Sequence, residues 1–242
     1  MKVLVIPDIH LKPEIFDRGA DLLQAGTVAE RAVCLMDIAD DWGQQKNLAL
    51  YEQTYDTAIR FAQESPDTLW CLGNHDCSYL WQEFESGYSP TAANTVRAKL
   101  RELRFCLPVK RPSPIAYIHR IDNVLFMHGG LTEAFVEENM PEGLSEDVDP
   151  DAVIKSINSF GHREMWREGS PIWFRPQERK RERLYREGEL LQVVGHTPVK
   201  KVCREGSVIS TDVFSTYGNG MSIGRHEFLV IDTETWETRI VR

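Results

Sequence analysis

The sequence predicts an α/β (α+β) fold in which two packed mixed β-sheets are flanked by helices. Three observations carry this expectation. Short apolar runs alternate with helix-length segments through the first third of the chain, short strand-like segments dominate from about residue 116 onward, and the early apolar runs end abruptly in polar side chains that can bind metals.

Lys2–Pro7, Arg31–Met36 and Thr68–Leu72 are too short for helices and are bounded by polar residues, which predicts buried strands. Between them, Phe16–Glu30 and Ala49–Glu64 have the length and composition of helices. Side chains following the strands then converge on one edge of a sheet. Further strands are expected at Ala116–Arg120, Asn123–Met127, Leu190–Val194, Val208–Thr211, Glu227–Ile231 and Thr238–Val241, with helices over Pro150–Arg167 and Pro176–Glu187. No repeat or linker interrupts the pattern, so one domain over residues 1–242 is expected, with a charged, partly helical excursion around 133–188. Within it Glu133–Asp151 is acidic and Arg163–Arg186 is rich in Arg and Lys. Two readings stand: solvated faces and a surface loop, or a lid beside a site.

With 242 residues, 42% of them hydrophobic and 27% charged, the chain has the composition of a globular protein with a sizeable core. No apolar run approaches the roughly 20 residues that span a bilayer. The start, MKVLVIPDIH, reaches acidic and imidazole groups too early for a leader, so a cytoplasmic protein without membrane contact is expected. Five scattered cysteines without a CxxC pair indicate neither a disulfide framework nor a thiolate zinc site. The net charge of -9 disfavours nucleic acid as a partner, because such binding releases counterions from a basic surface.

Asp8 and His10 lie two apart at the end of the first strand, on the same side by strand alternation. Asp37 follows the second strand, and Asn74 and His75 follow the third within Gly73-Asn74-His75-Asp76. His128 ends another strand and His196 follows the strand Leu190–Val194. Carboxylate, imidazole and amide donors without a thiolate suit first-row divalent cations such as manganese, iron or zinc.

These residues resemble the calcineurin-like metallophosphoesterase superfamily, whose motifs run Asp-x-His, Gly-Asp-x-x-Asp, Gly-Asn-His-Asp/Glu, His and Gly-His. All five occur here in order, the second in altered form. His128-Gly129-Gly130-Leu131 and Val194-Gly195-His196-Thr197-Pro198 are most similar to the branch of Ser/Thr protein phosphatases and bacterial symmetrical dinucleoside tetraphosphatases. Many phosphodiesterase and nuclease members instead end in Gly-His-x-His, where this chain has Pro198. The resemblance implies a four-layer sandwich and two divalent cations, manganese foremost. It implies that Asp8, His10 and Asp37 hold one cation and that Asp37, Asn74, His128 and His196 hold the other, Asp37 bridging. A metal-bound hydroxide would attack the phosphate ester or anhydride, His75 would protonate the leaving group, and Asp40 would orient His75. Arg175, in Trp173-Phe174-Arg175-Pro176, matches a phosphate-binding arginine of that branch.

One departure matters. The arginine that usually follows the second aspartate of the Gly-Asp-x-x-Asp motif is replaced by Asp41, which would repel a phosphate dianion unless it points away. The segment Asp212–Gly220 matches a site-lining loop only loosely, and no role is assigned in it. Asp76 is expected to support its turn. Cys77 is read as packing or as a redox-sensitive thiol beside the site. Trp42, Trp81 and Trp173 are read as core aromatics or as stacking surfaces for a nucleobase, and His119, His162 and His226 as structural. The expected partner is a phosphorylated small molecule, a nucleotide or a phosphoprotein. A phosphodiesterase or nuclease of the same fold, and a non-catalytic interaction module, remain as alternatives.

Overall fold

The computed structural model describes residues 1–242 except Thr27, Arg111 and Lys180. Thr27 and Lys180, which fall within the expected helices Phe16–Glu30 and Pro176–Glu187, therefore lie outside the described residues. The first half runs β1 (Lys2–Ile6), α1 (Glu14–Gln24), β2 (Arg31–Cys34), α2 (Leu48–Glu64), β3 (Leu69–Cys71), α3 (Asn74–Trp81), α4 (Ala93–Cys106) and β4 (Ile115–Ala116). It continues with β5 (Ile118–Ile121), β6 (Val124–Met127), α5 (Glu133–Asn139), α6 (Pro150–Ile157) and α7 (His162–Met165). The chain closes with β7 (Leu191–Val194), β8 (Cys203–Glu205), β9 (Val208–Ser210), β10 (Phe228–Asp232) and β11 (Thr238–Val241).

The strands form a six-stranded sheet in the order β11-β10-β1-β2-β3-β4 and a five-stranded sheet in the order β5-β6-β7-β9-β8. Both are mixed: β1 to β4 pair in parallel while β10 and β11 are antiparallel, and β6-β7-β9 are parallel between antiparallel edges. Alternation along β1 explains its unbroken apolar run. Val3 and Val5 join Phe126, Leu191, Val193 and Ile209 between the sheets, while Leu4 and Ile6 pack with Phe16 of α1 and Phe61 of α2. Each such fully buried side chain stabilises the fold by about 1.5–3 kcal/mol. Gly19 lets α1 lie close on β1, because a Cβ there would stand 2.6 Å from Ile6 Cδ1. On the far side, Leu125 and Met127 pack with Phe135, Ile154 and Met165. The layers are thus helices, sheet, sheet and helices, as expected.

Several boundaries depart from expectation. Helix α1 stops at Gln24, before Gly26 takes a left-handed φ of 65°. Ala116–Arg120 is two strands: β4 pairs with β3 in the first sheet, and after Tyr117 the chain crosses to β5 in the second. Helix α6 ends at Ile157 because the Asn158 side chain pairs with the β5 backbone instead, accepting from Tyr117 N and Ile118 N at 3.0 Å and donating to Ile118 O at 2.8 Å. The described part of Pro176–Glu187 is turns, not helix, with Tyr185 N donating to Leu131 O and Arg183 O accepting from Glu133 N. Both α3 and α4 lie outside the helices expected from sequence. No helix among the described residues is long and apolar enough to cross a membrane.

Candidate metal centre

Parallel pairing of β1 with β2 sets Ile6 beside Cys34, so the loops leaving these strands run side by side. The ladder continues beyond the strands: Ile9 N, His10 N and Leu11 N donate to Met36 O, Asp37 O and Ile38 O at 3.1, 2.8 and 3.1 Å. Holding these contacts requires left-handed φ angles at His10 (42°), Leu11 (56°), Met36 (53°), Asp37 (42°) and Asp40 (66°). Such backbone strain concentrates at functional sites. Asp76 locks the third loop against the second: its carboxylate accepts from Gly73 N, Asp37 N and Ile38 N at 3.0, 2.9 and 3.2 Å. Two glycines make room for carboxylates, since a Cβ on Gly73 or Gly195 would stand 1.9 Å from Asp37 Oδ1 or Asp8 Oδ1.

Donor atoms converge at the strand ends. His128 Nε2 lies 3.0 Å from Asn74 Oδ1, 3.0 Å from Asp37 Oδ2 and 3.1 Å from His196 Nδ1. Two donors at right angles, each about 2.1 Å from an ion, stand about 3.0 Å apart, so this spacing fits one coordination sphere. Leu35 O lies 3.2 Å from His128 Nδ1 and Asp40 O lies 2.9 Å from His10 Nδ1. As these carbonyls can only accept, the proton sits on Nδ1 of each ring and the Nε2 lone pair points toward the centre. Asp37 Oδ2 also lies 4.0 Å from His10 Nε2, so one oxygen stands between the two imidazoles. The fully buried Asp8 accepts at Oδ2 from His196 N at 2.6 Å, while its Oδ1, and His196 Nε2, have no hydrogen-bond partner.

Electrostatics favour a cation here. Burial and the neighbouring Asp212 push the Asp8 carboxyl well above its ordinary range. Burial alone would lower His128, but Asp37 and Asp8 outweigh it and raise the imidazole to about 9. A divalent ion placed among these carboxylates would satisfy the same field that draws a proton onto His128. His196 stays neutral, as a ligand must, because burial and the charges of His128 and Arg175 lower it. The donor set thus fits a metal, in three groups whose atoms lie within 4.8 Å of one another: His10, Asp37 and His75; Asp37, His128 and His196; Asp8, His10 and Asp212.

The other expected residues surround the same cleft of about 440 Å³. His75, on the first turn of α3, pairs through Nδ1 with Asp40 Oδ2 at 2.9 Å. The second oxygen of Asp40 accepts from Tyr51 Oη at 2.7 Å and Tyr79 Oη at 2.5 Å, so the carboxylate is fixed. Burial would lower His75, yet Asp37, the Asp40 hydrogen bond and Glu85 raise it to about 10. Arg175 lines the cleft and donates through Nη1 to His196 O at 2.7 Å and Thr197 Oγ1 at 3.2 Å. All nine site residues expected from sequence are therefore brought to one edge. Asp41 does not confront the cleft as a bare charge: Lys12 Nζ reaches its Oδ2 at 2.9 Å, and Thr216 Oγ1 donates to its Oδ1 at 2.7 Å. Cys77 is fully buried, and that burial pushes its thiol well up, which leaves it a packing role. Trp42 is half exposed at the cleft, Trp173 meets the His196 ring at 5.6 Å, and Trp81 packs with Trp166 and His162.

Two residues escaped the sequence reading. Glu85 Oε2 accepts from Asn74 Nδ2 at 2.5 Å, which turns the amide oxygen toward His128. No local pattern signals this contact. Asp212 follows β9 as Asp8 follows β1, so the strand-end rule that identified the other donors could have found it.

The model of the calcineurin-like phosphoesterase family matches residues 1–204. None of the curated proteins compared matches the chain. Among solved structures, a cold-active protein-tyrosine phosphatase from a psychrophilic Shewanella is 18% identical, with a TM-score of 0.56 over 100% of this chain and 80% of that one. A protein serine/threonine phosphatase from Saccharomyces cerevisiae is 16% identical (TM-score 0.44, 87% of this chain and 66% of that one). An archaeal phosphodiesterase is 13% identical (TM-score 0.42, 100% and 99%). At such identities the first of these shows a shared fold and nothing finer.

Proposed function

Because the chain belongs to the calcineurin-like phosphoesterase family, we propose that it is a two-cation hydrolase of phosphate monoesters or phosphoanhydrides. The observation that carries this reading is the position of Asp37 Oδ2, 3.0 Å from His128 Nε2 and 4.0 Å from His10 Nε2, a single oxygen between two sets of donors. Asp8, His10 and Asp37 would hold one cation, and Asp37, Asn74, His128 and His196 would hold the other. Manganese suits this mixture of oxygen and nitrogen donors best, with iron and zinc close behind. When bound, the cations would acidify a water and neutralise charge on the phosphoryl oxygens.

The chain's own groups supply the rest. His75 carries a proton at neutral pH and delivers it to the departing oxygen, while Asp40 orients the ring and keeps it charged. Arg175, tethered at Nη1 to His196 O, uses the remaining edge of its guanidinium to hold a phosphoryl oxygen. Lys12 offsets the Asp41 charge, which reduces the repulsion of an incoming phosphate. A cleft of about 440 Å³ beside Trp42 and Trp173 suits a phosphorylated small molecule, a nucleotide or a phosphorylated side chain.

The reading is tested by stripping the protein of metal, returning manganese, and following hydrolysis of para-nitrophenyl phosphate, its bis-ester and a dinucleoside tetraphosphate. Manganese-dependent turnover of the monoester or the tetraphosphate is expected. Turnover of the bis-ester alone would replace the proposal with a phosphodiesterase, and no turnover by folded, metal-loaded protein would contradict it.

A further inference from the structure

On the proposed reading the two cation positions are unequally supplied. The second draws four protein donors, Asp37 Oδ2, Asn74 Oδ1, His128 Nε2 and His196 Nδ1, whereas the first has Asp8 Oδ1, His10 Nε2 and the shared Asp37 Oδ2. Beside the first position stands a carboxylate with no role so far. We propose that Asp212 is a fourth protein ligand of the first cation, coordinating it alongside Asp8 and His10.

Three observations support the assignment. Donor atoms of Asp8, His10 and Asp212 lie within 4.8 Å of one another, and Asp212 lines the cleft. Asp212 is 1% exposed and Asp8 fully buried, and among the described residues neither is paired with a lysine or arginine. Two buried like charges at this separation repel strongly unless a cation lies between them. Asp8 Oδ1 is the independent sign of a missing neighbour: it accepts no hydrogen bond, and the His128 Nδ1 that lies 3.9 Å away is engaged with Leu35 O, whereas buried carboxylate oxygens otherwise find donors. Asp212 is also held in place: its carboxylate accepts from Ser215 Oγ at 2.9 Å and Ser215 N at 3.3 Å, and its carbonyl accepts from Val199 N at 2.8 Å. Those bonds leave lone pairs on both carboxylate oxygens for an ion.

Coordination by Asp212 gives the first cation a second carboxylate of its own, with a consequence for the metal it accepts. A position with two full carboxylates and a shared third favours hard ions over soft ones. Asp212→Cys should shift that preference toward cadmium.

The inference rests on the two-cation reading, so the test separates their failures. Metal-stripped wild type and D212N are titrated with manganese calorimetrically, and retained ions are counted after dialysis. Wild type should bind two ions per chain, and D212N should keep one while its affinity for the other falls about a hundredfold or more, beyond what loss of an outer-shell partner costs. S215A, which breaks the hydroxyl bond to Asp212 but spares the carboxylate, should retain both. Wild type that binds fewer than two ions would overturn the two-cation reading and this inference together. Two ions bound with wild-type affinities by D212N would overturn the inference alone. Should D212N fail to fold, D212C decides: with cadmium it should show a thiolate-to-cadmium ultraviolet band absent from wild type treated alike. Cadmium bound by D212C without that band would overturn the assignment.

Discussion

Around His128 Nε2 three further donors stand within 3.0–3.1 Å, and Asp37, Asn74, His128 and His196 are all buried. Around His10 Nε2 the shared oxygen of Asp37 is 4.0 Å away, and the imidazole keeps 17% of its surface exposed. One half of the centre is therefore buried throughout, and the other opens to the cleft at His10, its Asp8 and Asp37 being buried as well. The open half sits between strain-bearing loops, where a left-handed backbone at His10, Leu11, Met36 and Asp37 holds the donors out from the sheet. The buried half hangs on strand ends and on helix α3, whose first turn is clamped by Asp76, and it carries one left-handed donor of its own, His196 (φ 61°). On the proposed reading, packing would fix affinity at the second position, and the first would exchange more readily with solvent and substrate.

The sharpest way to break this contrast is D37N, because Asp37 serves both halves. It should release both cations and lower activity about a thousandfold, a loss of several kcal/mol of transition-state stabilisation, read by metal counting and steady-state rates. Retention of one tightly bound ion would show that Asp37 belongs to a single half. Next, H128A and H10A should part company. Calorimetry should find the affinity of the tighter ion lowered about a hundredfold in H128A, with a fall in melting temperature as buried donors lose their partner, whereas H10A should weaken only the looser ion and leave melting nearly unchanged. Equal melting losses would mean that the halves are equally embedded.

H75A should retain both ions while the rate drops about a hundredfold, as loss of a general acid does. The smallest effect is expected for E85Q. A neutral amide holds Asn74 Nδ2 less firmly than the carboxylate at 2.5 Å, so the affinity of the second ion alone should fall about tenfold. An unchanged second ion would remove Glu85 from the account.

The contrast between halves also marks what could be read from sequence. Donors that follow a strand within two residues, such as Asp8, His10 and Asp37, announce themselves because strand ends are visible as abrupt stops in apolar runs. Asp212 obeys the same rule after β9, but its segment matches a site-lining loop only loosely, which gives the residue no role from sequence. Glu85 could not be read this way: it reaches Asn74 across a turn that depends on left-handed Gln82 (φ 61°) and Gly87 (φ 94°). The same limit explains Pro176–Glu187. Its composition is helical, but its backbone pairs with Leu131 and Glu133, a tertiary contact that local propensity does not register. Helix α3 is hidden for a different reason, since it starts inside the Gly73-Asn74-His75-Asp76 segment, which reads from sequence as a turn.

On the proposed reading, two cations would share one carboxylate oxygen of Asp37. Electron paramagnetic resonance of the metal-stripped protein reconstituted with two equivalents of manganese tests it most directly. An exchange-coupled dimanganese spectrum is expected. Two equivalents bound with only the six-line signal of isolated ions would contradict it.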